Sequence, residues 1–156
     1  MTMSCILRIG GTDLKPDDLL RESGLVAYRI DRKGELGLLK NRGPHQKSSV
    51  HVEVSSAGFD DLPGQVADAM TFLRAKESGL RAVVAFPGVE WAQLDFGVDH
   101  ADVAIDSKYL KPELLVLAGG LGLGIELSIY PGATSSEGDA QHGVAPDDRP
   151  RTAARG

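Results

Sequence analysis

"SSVHVEVS", residues 48–55, is the stretch that settles the fold class. Val50, Val52 and Val54 alternate with Ser49, His51 and Glu53. Side chains on a strand point to opposite faces with period two, so this segment reads as a strand with one dry face and one wet face. Strands of that kind belong to antiparallel sheets covered on one side only. "GIELSIY" (124–130) repeats the pattern, with Ile125, Leu127 and Ile129 set against Glu126, Ser128 and Tyr130. "SCILRIG" (4–10) and "VAYRID" (26–31) read as two further strands.

Helices are expected between them. "KPDDLLRESG" (15–24) has Pro16 at a first helical position, Asp17 and Asp18 at the positive end of the helix dipole, and Gly24 as a left-handed cap. "DDLPGQVADAMTFLRAKESG" (60–79) carries Val66, Met70 and Leu73 at i, i+4 and i+7. Both helices are followed by the same four letters, Glu-Ser-Gly-Leu, at 22–25 and 77–80. The second copy is therefore expected to end its helix as the first does, with "LRAVVAF" (80–86) and "WAQLDFGV" (91–98) forming a hairpin through Pro87-Gly88. "KPELLVLAGG" (111–120) reads as a third short helix.

The expected fold is α+β: a largely antiparallel sheet with two to three short helices on one face and a ferredoxin-like rhythm. The domain is expected to occupy residues 1–131. After Pro131 the composition turns to Gly, Ala, Ser, Asp and Pro, with Val144 the only branched aliphatic and no aromatic residue. Residues 132–156 read as a disordered C-terminal tail.

The glycines of "AGGLGLGIELSIYP" (118–131) resemble a phosphate loop, but their context opposes it. A phosphate loop runs from strand through glycines to a helix N-terminus, and here the order is helix, glycines, strand. Gly119 or Gly120 is expected to cap the helix at positive φ, with Gly122 and Gly124 leading into the strand.

"CILRIGGTDLKPDDL", "RKGEL" and "SKYLKPELLVLAGGLGLGIELSIY" resemble the opening, middle and close of the uncharacterised bacterial family catalogued as domain of unknown function 4279. The resemblance covers about residues 4–131 and implies a small bacterial α+β domain. It implies no activity, cofactor or catalytic residue.

Bulk properties narrow the function classes. The chain has 156 residues, 42% of them hydrophobic, and a formal net charge of −5. That charge makes nucleic acid and anionic membranes unexpected partners. One cysteine, Cys5, rules out an internal disulfide and fits a cytoplasmic protein. No secretory signal and no apolar run of membrane length is read. Residues 51–130 hold twelve acidic against five basic residues, a net −7. Residues 29–47 hold Arg29, Arg32, Lys33, Lys40, Arg42 and Lys47 against Asp31 and Glu35.

Two functional readings follow. In the first, the chain is a non-enzymatic interaction module, toxin-neutralising or regulatory, whose basic loop (Arg32, Lys33, Lys40, Arg42) or exposed sheet face meets another protein. In the second, Arg8, Arg29, His51 and Glu53 converge on the wet face and bind or transform a small anionic ligand. Gln93, Asp95, Glu126 and Tyr130 are expected on that same face. No catalytic residue, metal ligand or cofactor is assigned. Asp95, Asp99, His100, Asp102 and Asp106 lack calcium-loop spacing, and His45 and His51 lack zinc spacing. Cys5 reads as a core residue.

Overall fold

The computed structural model describes residues 2–132. In chain order it contains β1 (Cys5–Gly11), α1 (Pro16–Ser23), β2 (Arg29–Asp31), a 3-10 turn (Lys40–Arg42), β3 (Ser48–Ser55), α2 (Leu62–Ala75), α3 (Glu77–Ala85), β4 (Trp91–Asp99), α4 (Pro112–Gly120) and β5 (Gly124–Tyr130). The segment read as a tail lies, apart from Gly132, outside the described residues.

The five strands form one open sheet in the order β2-β3-β1-β4-β5. β1 pairs antiparallel with both β3 and β4, and β2 pairs antiparallel with β3. β1-α1-β2 and β3-α2-α3-β4 are thus two interleaved crossovers, the ferredoxin-like split βαβ arrangement. α4 adds a further crossover that lays β5 parallel to β4. The α+β class and the mostly antiparallel sheet agree with the alternation in the sequence.

Register explains why the sheet is covered on one side. Leu7 stands opposite Val52 and Leu94, and Ile9 opposite Val50 and Ala92. Beyond β4, Leu94, Phe96 and Val98 stand opposite Ile125, Leu127 and Ile129. These residues share one face, where all but Ile129, exposed at the sheet edge, join Leu19, Val66, Ala69, Leu73, Leu80, Val83 and Leu114 of the helices in a single core. Leu7 and Ile9 are fully buried, each worth about 1.5–3 kcal/mol of burial. The alternation in β3 breaks at its end: Cys5 faces Ser55 but Ile6 faces Glu53, so Val54 is an extra residue. This bulge turns Ser55 inward, where its hydroxyl donates to Asp68 at 2.6 Å.

The expected strand over 80–86 is instead α3, and the expected hairpin with 91–98 does not exist. Leu80 and Val83, three apart, are both fully buried. That is the spacing of a helical contact, and tertiary burial overrides the β preference of Val83 and Val84. Among the described residues the helices therefore number four rather than two or three. The two Glu-Ser-Gly-Leu copies take different conformations. The first ends α1 at Gly24, φ 66°, whose N–H donates to Leu20 O. The second opens α3, and a Cβ at Gly79 would lie 2.3 Å from the Ser23 carbonyl. The two copies touch, and glycine at 79 is what lets α3 approach α1. The strand expected over 26–31 shortens to Arg29–Asp31.

The positive-φ glycine after α4 is not Gly119 or Gly120 but Gly122, at φ 74°. Leu123 N–H donates to Ala118 O at 2.9 Å and Gly122 N–H to Gly119 O at 3.0 Å. Those two bonds are a Schellman cap, completed by the burial of Leu123. A Cβ on Gly122 would also meet Val84 at 3.1 Å, whereas Gly120 has open space. Gly122→Ala is expected to destabilise the fold by about 1 kcal/mol or slightly more. Gly120→Ala should be neutral or stabilising by up to about 1 kcal/mol. Urea unfolding of the two variants checks this, and the reverse order of stabilities would contradict the cap.

Candidate functional site

Among the described residues the helices pack with the inward-facing strand residues in one core, and the strand residues of opposite parity form the second face of the sheet. Arg8 lies at its centre, opposite His51 on β3 and Gln93 on β4. Arg29 stands opposite His51 from β2, and Glu126 opposite Asp95 from β5. The structure thus places Arg8, Arg29, His51, Glu53, Gln93, Asp95, Glu126 and Tyr130 on one face. They do not converge on one point.

Arg8 and its neighbours form one cluster. Its Nη1 donates to Asp95 Oδ2 at 3.4 Å and lies 3.7 Å from Glu126 Oε2. The guanidinium also sits 5.8 Å from the ring centre of Trp91, within cation–π range. Ser128 Oγ donates to Asp95 Oδ1 at 2.6 Å, and Gln93 Nε2 donates to Glu126. Trp91 in turn lies over Gly10, where a Cβ would stand 2.1 Å from the ring. The glycine is the seat of the indole.

His51 belongs to a second cluster with Asp31 and Ser49. Its Nε2 is 3.1 Å from Ser49 Oγ and 3.2 Å from Asp31 Oδ2. Ser49 Oγ also donates to Asp31 Oδ2 at 3.3 Å, and Arg29 Nε donates to Asp31 Oδ1 at 3.0 Å. A Ser-His-Asp triad uses the two ring nitrogens separately, one for the carboxylate and one for the nucleophile. Here both partners share Nε2, so Ser49 is not activated. Burial is the main force on His51 and lowers its pKa, aided by Arg29 and Arg8 and opposed by Asp31. Burial pushes Asp31 upward, but the Arg29 hydrogen bond and the charges of Arg29, His51 and His45 outweigh it, and its pKa is lowered.

Glu53 is exposed, opposite Ile6 and beyond both clusters. Clefts lie against α2, α3 and α4, beside α1, and around Phe59 and His100. The polar face carries a lattice of paired charges, with the rings of Trp91 and Phe59 seated on Gly10 and Gly97.

The basic loop is an ordered finger. Gly34 N–H donates to His45 O at 2.8 Å, His45 N–H to Glu35 O at 2.9 Å, and Leu36 bridges to Pro44. At its tip Leu36, Leu38 and Leu39 are 66%, 87% and 56% exposed. The flanking charges are partly satisfied: Arg32 donates to Asp17 at 2.9 Å, Lys33 stands 3.9 Å from Asp13, and Lys47 donates to Glu90 at 2.5 Å. Arg42 forms no ion pair among the described residues, and Lys40 opens the 3-10 turn.

Reading the sequence for charge misses Asp31, Ser49 and Trp91 on the face and the three leucines of the finger. "ELGLL" (35–39), an apolar run inside a turn-rich loop, is the signal that could have found the leucines. Among the described residues, no group of three His, Cys, Asp or Glu side chains is placed to hold a metal ion. Cys5 is fully buried and burial raises its thiol pKa, so it stays protonated and unreactive. No helix among the described residues is long and apolar enough to cross a membrane. Comparison with family models, with curated proteins and with solved structures finds no match.

His51 supplies a pH test. A histidine whose folded pKa is depressed adds stability above its unfolded value, near 6.5, and loses it as pH falls through the folded pKa. Asp31 acts in the same sense at lower pH. Thermal stability is therefore expected to fall below about pH 6.5, and less steeply in His51→Gln. An NMR titration of His51 with a midpoint above 6.5 would contradict the burial argument.

Proposed function

We propose that this chain is a non-enzymatic protein-interaction module whose docking element is the finger spanning residues 32–47. The observation that carries the reading is the exposure of Leu36, Leu38 and Leu39 on a finger held closed by its own backbone hydrogen bonds. A free leucine at 87% exposure gains nothing from folding, whereas burial in a partner's groove returns about 1.5–3 kcal/mol per side chain. Closure before binding lowers the ordering entropy lost on association. Lys33 and Arg42 flank the tip, and Arg42 forms no ion pair among the described residues. The partner is therefore a protein with an apolar groove rimmed by carboxylates. A role in neutralising a toxin or regulating an enzyme is of this kind. The resemblance to domain of unknown function 4279 adds a bacterial setting and no activity.

A small anionic ligand on the open face is the weaker reading. Arg8 and Arg29 already bond to carboxylates, and His51 offers no free Nε2.

Full-length chain and Leu38→Asp, each immobilised, should be compared against extract of the native cell. A protein retained by the wild type and lost by the variant is expected. Measured again as a purified pair, its affinity should drop by about tenfold or more on substitution. The thermal midpoint should not move, because Leu38 has almost no contacts to lose. Equal retention by both chains would overturn the assignment. Leu38-dependent binding to phosphatidylserine vesicles would move the finger to a membrane surface instead.

A further inference from the structure

We propose that β5 pairs with β5 of a second copy, joining two five-stranded sheets into one ten-stranded sheet across a two-fold axis. β5 is an edge strand, bonded to β4 on one side only. Among the described residues no loop or helix supplies a backbone hydrogen bond to its outer side; His100 N–H reaches Tyr130 O from the β4 end. Among the described residues the outward-facing N–H and C=O groups of this seven-residue edge have no backbone partner, and such an edge is a template for another strand. β5 has no proline, no lysine and no bulge, and Glu126 is its single charge.

The sequence of β5 is self-complementary. An antiparallel pair centred on Leu127 sets Ile125 against the second copy's Ile129, and Leu127 against its own image. These lie on the core side, where Ile129 is 58% exposed in the single chain. On the polar side Glu126 meets Ser128, so the two carboxylates do not face each other. Tyr130, half-exposed, meets Gly124. An aromatic ring lying over a cross-strand glycine is the device this sheet already uses in the pair Trp91 and Gly10.

The helix above the edge points the same way. The groove between α2 and α4 is lined by Val116, Leu117, Gly120 and Leu121. At 100° per residue, Leu115 and Gly119 fall on the opposite flank of α4, over the free edge. Leu115 is 49% exposed. Gly119 has no positive φ, and nothing lies within 4 Å of where its Cβ would be. A glycine within a helix costs about 1 kcal/mol relative to alanine. Nothing among the described residues repays that, whereas a second α4 approaching across the axis would. The finger lies beside β2, at the far edge of the sheet, so the assembly would present two fingers, one at each end.

Sedimentation equilibrium of the full chain at about 100 µM should give twice the chain mass of 16.5 kDa. The double variant Ile129→Lys, Leu115→Lys should return it to a single chain mass. Both side chains are exposed, so its circular dichroism should match the wild type. A wild-type monomer, or a dimer that survives both substitutions, would overturn the proposal. A chain truncated after Gly132 should also dimerise. If only the truncated chain does, residues 133–156 occupy the edge and the second copy does not. Should the double variant fail to fold, Leu127→Cys decides. Facing Cα atoms in such a pair approach to about 4.5–5.5 Å, within disulfide reach, and Cys5 is buried and cannot compete. Rapid oxidation to a covalent dimer is expected, and its absence would overturn the pairing.

Discussion

The structure depends on β1 being bonded on both sides. From Cys5 to Gly10 each residue of β1 has a partner on β3 and on β4, so its alternation is imposed on the whole sheet. Leu7 and Ile9 fix the dry face, and Arg8 between them fixes the wet one. A slip of one residue would bury the guanidinium and expose both aliphatic side chains. Each buried aliphatic is worth about 1.5–3 kcal/mol, and a buried unpaired charge costs more. No other register competes. The helices then have one place to go, because only one face of the sheet is apolar.

From that constraint follows the division of the molecule. The helix side is consumed by the core. The open side is consumed by its own charge pairs, Arg8 with Asp95 and Glu126, and Arg29 and His51 with Asp31. Pairs of this kind hold side chains in place but leave little to offer a ligand, and exposed ones add little stability. What remains uncommitted is the periphery. At one edge the finger shows three leucines to solvent, and at the other β5 shows a backbone unpaired among the described residues. On the reading proposed above, these features serve contact with macromolecules rather than turnover of a metabolite.

Much of this was legible in the sequence. The wet residues of β1, β3, β4 and β5 announce themselves by period-two alternation, and the shared face of Arg8, His51, Gln93, Asp95 and Glu126 follows from it. The pairing among them does not, since Arg8 and Asp95 are brought together by a register across 87 positions. α3 was hidden because Leu80-Arg81-Ala82-Val83-Val84 fits a strand locally; only the packing of Leu80 and Val83 beneath α1 chooses the helix. The cap after α4 was hidden for a related reason. Gly119, Gly120 and Gly122 are equally able to adopt positive φ, and the burial of Leu123 selects the last of them. The leucines of the finger were visible as letters, but their exposure depends on the loop closing upon itself through Gly34 and His45.

That closure is the most direct test of the account, since a finger that is not preformed has no docking role distinct from any loop. Native-state hydrogen exchange of the Gly34 and His45 amides measures it. The account predicts protection of at least about tenfold over an unstructured chain, because both amides are bonded across the finger. It also predicts that Leu38→Asp leaves this protection unchanged. Exchange of both amides at the rate of an unstructured chain would contradict it.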